Sequence, residues 1–103
     1  MDQENSIVIS SKAGRLGNPE EAGTKLIMFN LEGDRIVGVH EEVSTGKDTN
    51  WLLKWFSLKG ISQLYASTIS PLLHQALTSL GIIVKLKDEI SVDDEFYNRF
   101  IFD

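Results

Sequence analysis

Residues 51–84 read WLLKWFSLKGISQLYASTISPLLHQALTSLGIIV, and the punctuation of this stretch limits the possible folds more than any other feature of the chain. Trp51, Leu52, Trp55 and Phe56 recur as an amphipathic helical stripe. Gly60 stands where a helix ends on a left-handed residue. Ile61 to Ala66 is an apolar run of strand length. Ser70 can then cap a helix whose first position is Pro71, where a missing N–H costs nothing. Leu72, Leu73, Ala76, Leu77 and Leu80 continue that second helix, Gly81 stops it, and Ile82-Ile83-Val84 reads as a strand. Strand and helix alternating in this way imply parallel pairing through right-handed crossovers.

The first half has a different texture. Ser6-Ile7-Val8-Ile9-Ser10-Ser11 is a β-branched run, apolar at three consecutive positions, as in a strand covered on both faces. Residues 12–23 hold three glycines and a proline, so the expectation there is a loop without regular structure. Its length exceeds the usual connection of about 4–6 residues, and such loops are often functional. Thr24 to Leu31 is a second strand, Glu32-Gly33-Asp34-Arg35 a hairpin turn, and Ile36 to Val43 a third strand. Val37, Val39 and Val43 fall on one face of it and Gly38, His40 and Glu42 on the other, the alternation of an edge strand with one solvated face. Ser44-Thr45-Gly46-Lys47 breaks that strand, and Asp48 or Thr49 can cap the next helix. Acids at Asp93, Asp94 and Glu95 suit the start of a last helix over residues 92–101, with Phe96, Tyr97, Phe100 and Ile101 as its apolar side. Residues 1–5 read as a short flexible N-terminus. The expected architecture is one α/β domain over residues 1–103, in the order β-β-β-α-β-α-β-α. It is a mixed five-stranded sheet with helices on its faces, of ribonuclease H-like topology.

Composition narrows the function. The chain has no cysteine, which removes disulfides and thiolate ligation of zinc or iron–sulfur clusters. Its net charge of −5 opposes general binding to nucleic acid or anionic membranes. The acidic start lacks the pattern of a signal peptide, and no apolar run approaches the roughly 20 residues of a membrane span. A cytoplasmic protein with neither nucleic-acid nor membrane partners is expected.

In sheets with parallel strands, ligands bind beyond the carboxyl ends of the strands. That rule points to the loops after strands one and four: Ser11, Lys12, Gly14 and Arg15 in the first, Ser67, Thr68 and Ser70 in the second. Thr45, Gly46 and Lys47 join them. Amides and hydroxyls at a helix start suit an anionic group, and Lys12, Arg15 and Lys47 add positive charge, although Glu20, Glu21 and Asp48 lie in the same segments and can pair with them. No catalytic set is visible: the first strand carries no acid for a nuclease-type metal site, and no serine has a matching histidine and acid. His40 and His74 lack the spacing of a helical metal pair, so neither is assigned as a metal ligand.

The element order, together with residues 51–84, resembles the dinitrogenase iron–molybdenum cofactor biosynthesis family, the NifX/NifB-type domain, over about residues 6–101. The resemblance implies a small ribonuclease H-like fold that binds or carries a metal-cluster cofactor or its precursor. The family has a histidine-phenylalanine-glycine-arginine stretch before strand two. Here that segment is Asn18-Pro19-Glu20-Glu21-Ala22-Gly23, with Glu20 near the place of the histidine. The expected function is a non-catalytic module binding a small, anionic molecule or cofactor of unknown identity at the ends of strands one and four. The alternative is a structural or protein-interaction domain with a vestigial pocket, forming a homodimer through Phe96, Tyr97 and Phe100.

Overall fold

The structure is a computed structural model, and it describes residues 4–33, 35–45 and 49–90, together with Asp94 and Asn98. Among these residues six strands and two α-helices follow one another as β1 (Glu4–Lys12), β2 (Arg15–Leu16), β3 (Lys25–Glu32), β4 (Arg35–Val43), α1 (Thr49–Lys59), β5 (Ile61–Ala66), α2 (Pro71–Ser79) and β6 (Ile83–Leu86). A 3-10 turn, Lys87–Glu89, comes after β6. One mixed sheet has the order β4-β3-β1-β5-β6, and among the described residues β2 pairs with β1 alone. β3 is antiparallel to β1 and β4, whereas β5 runs parallel to β1 and β6 parallel to β5.

Two expectations need correction. First, residues 12–23 are not free of regular structure. The chain reverses after β1 and β2 pairs back, Ser11 opposite Leu16 and Lys12 opposite Arg15, which makes six strands rather than five. Ala13 (φ 55°) and Gly14 (φ 78°) form the turn, both in the left-handed region that a two-residue hairpin loop requires. An alanine in the first of those positions hides the turn from sequence reading. Second, β1 begins at Glu4, inside the segment expected to be flexible.

The two described helices lie on one face of the sheet. Val8, Leu26, Met28, Leu64 and Ala66 of the sheet share a single buried cluster with Leu52, Trp55 and Phe56 of α1 and Leu73 and Leu77 of α2. The connectivity explains this. β4 to β5 and β5 to β6 are both parallel crossovers advancing in the same direction across the sheet. Right-handed crossovers that advance the same way put their helices on the same side.

The opposite face carries a second cluster of Ile7, Ile9, Leu16, Phe29 and Tyr65, with Ile27, Leu31, Ile36 and Ile90 packed on it. Tyr65 donates to Asp94 Oδ2 at 2.8 Å, and Lys85 Nζ lies 3.1 Å from the same oxygen. The segment after β6 is thereby tied to this face. The Asn98 amide donates to the Asp94 carbonyl at 3.0 Å, the spacing of a helical turn. The remainder of the expected terminal helix, including Phe96, Tyr97 and Phe100, lies outside the described residues.

The helix boundaries follow the chemistry read from the sequence. Ser70 caps α2, accepting from the Leu73 amide at 3.2 Å, with Pro71 next. Gly60 and Gly81 adopt φ of 63° and 82° after the two helices. β4 is an edge strand, but its valines are not sheltered: Val37, Val39 and Val43 are 48%, 53% and 53% exposed. A register shift at Asn30/Leu31 places a bulge in this pair and breaks the simple two-residue alternation.

Candidate functional site at the strand ends

The parallel register of β1 and β5 brings their carboxyl ends together, Ile9 opposite Tyr65. Ser11 opposite Lys25, and Lys25 opposite Val43, place the start of β3 and the end of β4 at the same edge. Residues 11–24, 44, 45, 49 and 67–70 therefore lie at one edge of the sheet.

What occupies the convergence is the chain itself. The Glu20 carboxylate accepts from the Ser70 amide through Oε1 at 2.7 Å. Its Oε2 accepts from Ser70 Oγ at 3.0 Å and from Thr49 Oγ1 at 3.3 Å. Thr49 opens α1 and Ser70 caps α2. A carboxylate between two helix starts is electrostatically well placed, because both termini present partial positive charge.

The loop that carries Glu20 is built to hold it there. Asn18 Oδ1 accepts from the Glu20 amide at 2.9 Å, an Asx turn. Thr24 Oγ1 donates to the Asn18 carbonyl at 2.8 Å, and Ser44 Oγ donates to the Pro19 carbonyl at 2.7 Å. Pro19, Thr24 and Ser44 are buried. The Gly17 amide donates to the Ser10 carbonyl at 2.8 Å, and the Ser67 amide donates to the Gly17 carbonyl at 3.0 Å, stitching the loop to the ends of β1 and β5. Gly17 leaves little room for a side chain: a Cβ there would lie 3.1 Å from Lys12 Cβ and from Thr24 Cγ2.

The residues singled out by sequence take varied places in this arrangement. Ser70 and Ser67 belong to it through the bonds just given. Lys12 Nζ pairs with Glu21 Oε1 and donates to the Ala22 carbonyl at 3.3 Å; both side chains are substantially exposed, so the pair is worth about 0–1 kcal/mol. Ser11 is half-buried on β1, whereas Gly14 and Arg15 sit on the exposed hairpin and Thr45 and Thr68 are exposed. Gly46 and Lys47 lie outside the described residues. Sequence reading did not select Gly17, Asn18, Thr24, Ser44 or Thr49 as site residues. The one available signal was Glu20, a carboxylate near the place of a histidine in the family that the sequence resembles.

The two histidines stand apart from the convergence. His40 lines a cleft of about 200 Å³ with Met28, Glu41, Glu42, Trp55 and Lys59. His74 borders an open groove along α2 with Pro71, Gln75, Thr78 and Ser79. Among the described residues, no three His, Asp or Glu side chains are grouped to hold a metal ion, and no helix is long and apolar enough to cross a membrane.

No protein-family model matches the chain, and no curated protein matches it. Among solved structures, the chain is similar to one described as the crystal structure of PH0822, with a TM-score of 0.62 and 15% identity over 77% of this chain and 75% of that one. That likeness concerns the fold alone.

Proposed function

We propose that this protein is a non-catalytic protein-interaction domain of the iron–molybdenum cofactor biosynthesis type, in which the strand-end position that would receive an anionic ligand is filled by the protein's own Glu20. The observation that carries this reading is the set of three hydrogen bonds from Ser70 and Thr49 to the Glu20 carboxylate. The same donors are those a small anion would use. The strand order β4-β3-β1-β5-β6, with β3 antiparallel to its neighbours, supports the ribonuclease H-like architecture that the resemblance implies. The one acid of β1, Glu4, stands at the amino end of the strand, opposite to the strand-end convergence, and the acidic charge of −5 suits a cytoplasmic protein without nucleic-acid or membrane partners.

A panel of inorganic phosphate, carboxylates, nucleotides and divalent metals, read by thermal shift, tests the proposal. The filled-site reading expects no saturable shift for the wild-type protein. The second reading, a module that binds a small anion by displacing Glu20, is favoured by the convergence of two helix starts on one carboxylate. It predicts a saturable rise, about 2.7 kcal/mol at one hundred times Kd, and that result would replace the first reading.

A further inference from the structure

Residues directly opposite one another on paired strands project from the same face. His40 stands opposite Met28 and Glu42 opposite Leu26, and Leu26 and Met28 share a buried cluster with Trp55 of α1. His40 and Glu42 therefore project on the helix side of the sheet. Both are nonetheless exposed, so the helices leave this part of β4 uncovered. Trp51, Trp55 and Lys59 follow one another at every fourth position of α1, which sets them on one side of it, and the two indoles stack with centroids 6.5 Å apart. Between these elements lies the cleft of about 200 Å³, lined by Met28, His40 and Glu42 from the sheet and by Trp55 and Lys59 from α1.

Two features of this lining suit a ligand. Trp55 is only 9% exposed, and its indole N–H has no hydrogen-bond partner, although native proteins pair almost all buried donors. Lys59 and Glu42 carry opposite charges into one cleft without pairing to each other: among the described residues the ion pairs are Lys12–Glu21 and Lys85–Asp94. Glu41, which also borders the cleft, alternates to the other face, opposite Ile27. We propose that the cleft binds a small amino acid, whose carboxylate accepts from Lys59 and the Trp55 indole N–H and whose ammonium donates to Glu42. An anion alone would leave Glu42 unmatched in the site, and a cation alone would leave Lys59 unmatched. A zwitterion matches both, and an unmatched charge is one way a site rejects the wrong ligand. A metal ion finds no group of three His, Asp or Glu among the described residues. At about 30 Å³ for each water, the cleft has room for about seven waters. It is smaller than the roughly 300–1,000 Å³ of sites for drug-sized ligands, which fits an amino acid with little or no side chain. The site is separate from the strand-end position and does not depend on what fills that position.

The Trp55 indole N–H resonance of the full chain, assigned by its loss in Trp55→Phe, tests the proposal in titrations with glycine, β-alanine and 4-aminobutyrate, which set the ammonium and carboxylate at increasing separation. At least one of these probes should move the resonance saturably. Lys59→Gln and Glu42→Gln should each weaken that binding about tenfold or more, through loss of a charge-assisted hydrogen bond. Both side chains are exposed, so both variants should fold, as circular dichroism checks. Acetate and methylammonium, each with only one of the two charges, should give no saturable movement. Absence of saturable movement with all the amino acids overturns the proposal. So does a movement that acetate or methylammonium reproduces, or one that survives either substitution. The Ser70 amide should stay in place throughout, so this site and the filled strand-end position are judged by different resonances.

Discussion

At Glu20 a single side chain joins three loops that are far apart in sequence: its partner Ser70 is 50 positions away and Thr49 is 29. Replacing it with alanine leaves the Ser70 amide and two hydroxyls without their acceptor. Urea unfolding should show Glu20→Ala less stable by about 1–3 kcal/mol, with Glu20→Gln, which keeps one acceptor oxygen, losing less. Gly17→Ala should cost less, about 1 kcal/mol, because the new methyl group meets Lys12 and Thr24 at 3.1 Å and these must give by a few tenths of an ångström. The sequence marked residues 12–23 as a long loop and Glu20 as a departure from the pattern of the family it resembles. It did not show where the carboxylate points, because a contact across 50 residues leaves no periodic trace. Ser70 was legible because capping is local chemistry.

The elements were easier to read where punctuation is local. Ser70-Pro71, Gly60 and Gly81 fix helix ends through backbone geometry alone, and the helices end where these residues stand. The width of an apolar stripe was less legible. Leu73 and Leu77 of α2 are fully buried, whereas Leu72 is 69% exposed, although all three belong to the stripe. Which leucines are covered depends on both helices sharing one sheet face, a consequence of strand order. Thermal or urea unfolding should therefore separate them: Leu77→Ala should cost about 2–5 kcal/mol, and Leu72→Ala about 0.5 kcal/mol or less. The β1–β2 hairpin escaped reading for a different reason. Its turn puts Ala13 at positive φ, where sequence patterns look for asparagine, aspartate or glycine.

For the molecule as a whole, the sheet has one face under two helices and the other tied down through Tyr65, Lys85 and Asp94. Burial first, then the hydrogen bond to Asp94 and its negative charge, raise the Tyr65 hydroxyl well above the ordinary tyrosine range. In the unfolded chain that hydroxyl ionises near pH 10. Above that pH the unfolded state has released a proton that the folded state retains, so stability falls as pH rises, by up to about 1.4 kcal/mol per pH unit. Tyr65→Phe should remove this part of the alkaline loss, as followed by urea midpoints from pH 9 upward. The central claim, that the strand-end anion position is held by Glu20, is tested most directly by the Ser70 backbone amide resonance in wild-type protein titrated with inorganic phosphate. The Ser70 amide donates to Glu20 at 2.7 Å, so its resonance should stay in place through the titration and move only when Glu20 is changed to alanine. A saturable shift of that resonance in the wild-type protein would contradict the account.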